Sequence, residues 1–132
     1  MKKILVIEDE EFVRETISDM LEIEGYIPIL ANNGESGLNC LSELRPDLIL
    51  CDINMPVMDG YEVLERIKST GDLSSIPFIF LTAKASNNDM RRGMELGADD
   101  YIFKPFKARD LLNAINTRLT VLTEVKKCQK QS

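Results

Sequence analysis

Five short apolar runs, each followed by a stretch whose apolar residues recur at helical spacing, constrain this chain more tightly than any other feature. The first, residues 4–7, is apolar at every position between two lysines and three acids, the pattern of a strand covered on both faces. Val13, Ile17, Met20, Leu21 and Glu24 then fall on one stripe over residues 11–24, and Gly25 is placed to end that helix. The unit recurs, with strands at 27–30, 48–51, 77–81 and 101–103 and helices at 35–44, 61–69, 87–96 and from about Ala108 onward. Leu38 and Leu41, then Val63, Leu64 and Ile67, and last Leu111, Leu112, Ile115, Leu119 and Leu122 supply the inward faces of three of these helices. Arg45-Pro46 and Gly97 supply stops.

This alternation predicts an α/β fold: a doubly wound, five-stranded parallel sheet with helices on both faces, a three-layer sandwich. In such a sheet, with an order such as 2-1-3-4-5, the functional crevice lies outside the carboxyl ends of the strands, where the order reverses. Glu8, Asp9, Asp52, Thr82 and Lys104 each stand just past a predicted strand. The length of 132 residues fits one domain, residues 1–122, with 123–132 read as a polar tail or the start of a linker that carries Lys126, Lys127 and Lys130.

The chain has no histidine, which excludes a Ser-His-Asp or Cys-His catalytic unit, a histidine metal ligand and a phosphohistidine of its own. Acids outnumber basic residues 22 to 16, and the net charge of -6 speaks against a broad face for nucleic acid or anionic lipid. Cys40, Cys51 and Cys128 are too far apart for a CxxC pair, and an odd count suits a reducing compartment. The apolar run near the N-terminus spans only residues 4–7, too short for a signal peptide or a membrane span, so a cytoplasmic location with no membrane partner is expected.

Glu8 and Asp9 follow the first strand and Asp52 the third, so neighbouring strands bring three carboxylates to one edge. Alone they repel, raising at least one pKa; a hard divalent cation removes the conflict, and oxygen ligands with retained water suit Mg2+. Lys104 adds a fixed positive charge and Thr82 a hydroxyl. A carboxylate flanked by Mg2+ and an ammonium is a good phosphoryl acceptor, because the equatorial oxygens of the transferring group are neutralised together. Singly, each residue has a plainer reading: an acid after a strand is most often a helix cap, Lys104 a solvated charge, Thr82 a turn residue, Asp59-Gly60 a turn pair, Met55-Pro56 a strand stop. Joint placement at the ends of four of the five strands outweighs those readings.

Four blocks carry a closer likeness: Ile4-Leu5-Val6-Ile7-Glu8-Asp9-Glu10, Asp52-Ile53-Asn54-Met55-Pro56-Val57-Met58-Asp59-Gly60, Leu81-Thr82-Ala83, and Gly97-Ala98-Asp99-Asp100-Tyr101-Ile102-Phe103-Lys104-Pro105-Phe106. Through them the chain, over about residues 2–119, resembles the receiver domain of two-component response regulators, with the layout of the single-domain chemotaxis regulator. The resemblance implies a flavodoxin-like fold with Asp52 as phosphoacceptor, Asp9 as a direct Mg2+ ligand, Glu8 as a second acid acting mostly through water, and Asn54 as a ligand through its backbone carbonyl. Glu8 stands where the family often has Asp, a variant it tolerates. Thr82 and Lys104 would hold the phosphoryl oxygens, and a cis Lys104-Pro105 bond would aim the lysine inward. On phosphorylation Thr82 would move to the phosphoryl group and Tyr101 turn into the space it leaves, repacking the surface from the fourth helix to the fifth. Asn54 and Lys84, two residues past Asp52 and Thr82, would tune dephosphorylation.

The same resemblance implies partners: a sensor histidine kinase or histidine phosphotransfer protein as donor, and a downstream protein or attached output domain as recipient, with no nucleic acid bound by this domain. A monomer or a phosphorylation-dependent dimer is expected; in the charged ladder that some relatives use to dimerise, Met90 and Ala114 replace expected charges while Asp99, Asp100 and Asp110 remain. No enzyme activity is expected beyond self-phosphorylation from small donors and autodephosphorylation. An aspartate-nucleophile phosphatase of the haloacid dehalogenase type needs a second acid two residues past its nucleophile, where this chain has Asn54. Neither GxGxxG nor GxxxxGK[ST] occurs, and acids fill the first loop where the phosphate of a flavin nucleotide would sit. A stand-alone regulator is the first reading, and a receiver cut from a longer transcription factor or hybrid kinase the second.

Overall fold

The computed structural model describes the backbone of residues 1–83 and 87–131 and the side chains of 1–83 and 90–120. Strands β1 (Lys3–Ile7), β2 (Ile27–Ala31), β3 (Leu48–Asp52), β4 (Phe78–Thr82) and β5 (Asp100–Phe103) alternate with helices α1 (Glu11–Ile23), α2 (Gly34–Leu44), α3 (Gly60–Lys68), α4 (Asn87–Leu96) and α5 (Ala108–Gln131). All four pairings are parallel and the order is β2-β1-β3-β4-β5, the doubly wound topology expected.

Successive strand residues face opposite sides of the sheet, which divides the core in two. Ile4, Val6, Leu48, Leu50, Ile79, Leu81 and Ile102 meet Ile17 and Leu21 of α1 and Leu111, Ile115 and Leu119 of α5. Leu5, Ile7, Ile49, Cys51, Phe78 and Phe80 meet Leu41 of α2 and Tyr61, Val63, Leu64 and Ile67 of α3. Each fully buried side chain of this size contributes about 1.5 to 3 kcal/mol, so the three central strands anchor the molecule. Cys51 is a free thiol inside this core and Cys40 a half-buried one; the side chain of Cys128 lies outside the described residues.

α1 ends in a Schellman turn: the Gly25 N–H donates to the Glu22 carbonyl at 3.0 Å and the Tyr26 N–H to the Leu21 carbonyl at 2.9 Å, with Gly25 at φ +86°. That turn corrects the α1 stripe, because Glu24 falls at the cap and is exposed. A 3-10 turn over Gly71–Ser75 between α3 and β4 was not anticipated. β2 lies at one edge of the sheet, with Ile27 and Leu30 partly open to solvent. The Ile27 N–H and the Ala31 carbonyl bond toward the β1 side, so the intervening Pro28 and Leu30 turn their backbone outward.

Candidate functional site

Glu8, Asp9, Asp52, Thr82 and Lys104 owe their positions to strand ends. Glu8 directly follows β1 and is completely buried, whereas Asp9, one residue on, is exposed. Asp52 closes β3 and Thr82 closes β4, both buried. The β3–β4 register pairs Asp52 with Leu81, which sets Thr82 one residue farther along the neighbouring strand. Lys104 follows β5, and the peptide bond from it to Pro105 is cis.

These ends converge. The Lys104 Nζ lies 3.0 Å from Glu8 Oε2, a charge-assisted hydrogen bond, and 3.5 Å from Asp52 Oδ1. Carboxylate oxygens of Glu8, Asp9 and Asp52 all fall within 4.8 Å of one another. Burial, then the Glu8 charge, pushes the Asp52 pKa up to about 7 against the pull of Lys104. Burial raises Glu8 as well, partly offset by its bond to Lys104. For Lys104 itself burial works downward, but the Glu8 hydrogen bond and the two carboxylate charges outweigh it and leave the ammonium strengthened.

Three carboxylates facing one lysine leave uncompensated negative charge in a hard-oxygen donor set, which is what a Mg2+ ion fits. Glu8 also accepts from the Glu10 N–H at 3.3 Å, so its carboxylate is engaged from two sides. Asn54 sits exposed in the loop after β3. Lys84 lies outside the described residues. Tyr101 is half-buried, and its hydroxyl donates to the Met90 carbonyl of α4 at 3.0 Å.

Three residues have supporting roles that the sequence reading did not assign. The Arg14 guanidinium on α1 donates to the Glu8 carbonyl at 2.8 Å and steadies the acid loop. Asp59, read as half of a turn pair, caps α3 by accepting from the Glu62 N–H at 2.9 Å. Gly60 lets α3 approach the acceptor strand, since a Cβ there would stand 2.5 Å from the Asp52 carbonyl oxygen. The Asp59-Gly60 pair was the available signal for the last two; a lone arginine on a helix carries none. Asp99, assigned to a dimer ladder, accepts from the Phe78 N–H at 2.8 Å and so ties the start of β4 to the loop before β5.

The fold and this site together define a class: a doubly wound sheet with an acid cluster and an inward lysine at its carboxyl edge. Residues 4–116 match the response regulator receiver domain, and the chain belongs to that family. It is 43% identical over 116 residues to the transcriptional regulatory protein DltR of Streptococcus agalactiae, a match covering 88% of this chain and 51% of DltR. The chemotaxis protein CheY4 of Vibrio cholerae superposes with a TM-score of 0.86 at 30% identity, covering 89% of this chain and 98% of that one. The receiver domain of the sensor histidine kinase PA1611 of Pseudomonas aeruginosa, described with a magnesium ion coordinated in its active-site cleft, gives 0.83 at 31% identity, covering 90% and 98%. The chain spans about half the length of the curated relatives it matches. No helix among the described residues is long and apolar enough to cross a membrane.

Proposed function

We propose that this receiver accepts a phosphoryl group on Asp52, from a histidine of a sensor kinase or phosphotransfer protein or from a small donor such as acetyl phosphate. The observation that carries the reading is the setting of the Asp52 carboxylate: buried at a strand end, 3.5 Å from the Lys104 ammonium and clustered with Glu8 and Asp9. An ionised Asp52 oxygen forms the new bond to phosphorus. The bond from phosphorus to the donor's ring nitrogen, or to the acetyl oxygen, breaks, and the donor keeps the electron pair.

Lys104 favours the ionised form of Asp52, Glu8 opposes it, and the ammonium then faces the charge that gathers on the phosphoryl oxygens. The Thr82 hydroxyl supplies a second donor on the neighbouring strand. Asp9, Asp52 and the Asn54 carbonyl would hold Mg2+ directly, and the burial of Glu8 against Lys104 favours its acting through water. When bound, Mg2+ neutralises charge on the phosphoryl oxygens and removes the repulsion among the acids.

The readout is a surface built from α4, β5 and α5, where Tyr101 responds to Thr82. The partner reading it is another protein or an attached output domain, and the receiver acts in the cytoplasm as a monomer or a phosphorylation-dependent dimer. It loses its own phosphoryl group and turns over no external phosphoester. Incubation with Mg2+ and labelled acetyl phosphate is expected to give an acid-stable, hydroxylamine-labile phosphate on the wild type and none on Asp52→Asn. Equal labelling of the two would show that another residue is the acceptor.

A further inference from the structure

A ring of contacts begins and ends on one turn of α4. The Arg92 guanidinium carbon lies 4.3 Å from the centroid of the Tyr61 ring in the first turn of α3. Tyr61 meets Phe80 of β4 edge to face, with centroids 5.3 Å apart. Phe80 lies 5.4 Å from the Tyr101 ring of β5. The Tyr101 hydroxyl then donates back to the Met90 carbonyl, two residues from Arg92, at 3.0 Å. Gly93 makes room for this closure, since a Cβ there would collide with the Tyr101 hydroxyl.

α4 is thus held from two sides: by a cation on an aromatic face toward α3, and by a hydrogen bond from β5. Arg92 is exposed, while the Tyr61 ring beneath it is sunk in the core at 4% exposure. The ring also reaches the acid site. The Gly60 N–H donates to the Ile53 carbonyl at 2.9 Å, so the residue before Tyr61 is fixed to the backbone beside Asp52.

Packed contacts of this kind exchange between discrete arrangements rather than deform continuously. We infer that Arg92 is a positioning residue: through Tyr61 it holds α4 where Tyr101 bonds Met90, and so opposes the movement of α4 and Tyr101 that modification of Asp52 drives. The second half rests on the receiver mechanism proposed above; the hold on α4 rests on the contacts alone. A cation over an aromatic ring at a partly open site shifts an equilibrium by about two- to fivefold, enough to reset the response of two states close in free energy.

Two measurements on the wild type, Arg92→Ala, Arg92→Lys, Tyr61→Leu and the Arg92→Ala/Tyr61→Leu double variant test this. The first is amide hydrogen exchange of α4 in the unmodified protein, and the second is titration with beryllofluoride in Mg2+. Arg92→Ala is expected to speed exchange in α4 by about two- to fivefold and to lower the half-saturating beryllofluoride concentration by a similar factor. Arg92→Lys is expected to fall between it and the wild type, and Arg92→Ala to add nothing once Tyr61 is Leu. Unchanged exchange in Arg92→Ala, an unchanged or raised half-saturation, or an equal effect of Arg92→Ala with and without Tyr61 overturns the inference. If the wild type takes up no beryllofluoride, the receiver mechanism fails instead, and exchange alone decides the hold on α4.

Discussion

At Asp52 burial and the Glu8 charge act upward and Lys104 downward, and the carboxyl settles at about 7 instead of its ordinary 3.8. Without a divalent cation the folded chain keeps a proton there that the unfolded chain has released. Folding then takes up a proton between about pH 4 and pH 7, and the Asp52 contribution to stability falls as pH rises through that window. Glu8, also raised, acts with the same sign. In urea titrations with a chelator, the stability of the wild type relative to Asp52→Asn is expected to drop over this range, with a slope of at most about 1.4 kcal/mol per pH step of one. A relative stability that rises instead would mean that the lysine, not burial, controls the site. The positions of Asp52, Thr82 and Lys104 were legible because each ends or follows an apolar run. The division between Glu8 and Asp9 was not: adjacent residues leave a strand toward opposite sides, and only packing tells which one is buried.

The loop between β3 and α3 shows the same limit one level up. Its Asp59-Gly60 pair signalled a change of direction, yet nothing marked Val57 as left-handed. Its φ is +69° and its side chain stands wholly in solvent, at 103% exposure. A β-branched residue in that region costs about 1 to 2 kcal/mol with no burial to offset it, while glycine gives back about 0.5 to 1 kcal/mol through the freedom of the unfolded chain. Val57→Gly is therefore expected to raise stability by up to about 1 kcal/mol in thermal or urea unfolding, and a loss would show that the valine makes contacts in solution. Helix faces were readable from spacing because a buried stripe must repeat. The Arg92–Tyr61 contact was unreadable for the opposite reason, since it joins two helices and the spacing within either one says nothing of a partner on the other. Likewise the α1 stripe ran one residue too far, because periodicity has no knowledge of where a glycine turns the chain.

For the molecule as a whole, sheet order and layering were foreseeable, since fully apolar strands must be covered on both faces and right-handed crossovers leave few ways to do so. Metal binding at the converging strand ends couples to the stability of the entire domain, because only the folded chain brings Glu8, Asp9 and Asp52 together. Mg2+ at a hundredfold excess over its dissociation constant is expected to stabilise the fold by about 2.7 kcal/mol, read as a higher Tm. Asp9→Asn is expected to lose most of that rise, and an equal rise in the variant would place the ion elsewhere. The edge strand β2 bears on how copies of the chain behave toward one another. Along its outward backbone Pro28 has no N–H to offer, so an incoming strand meets a missing donor at the first position of that row. A sheet that could otherwise widen by taking on a sixth strand is thereby disfavoured on that side from edge-to-edge pairing with another copy, and its surface is left to contacts between side chains.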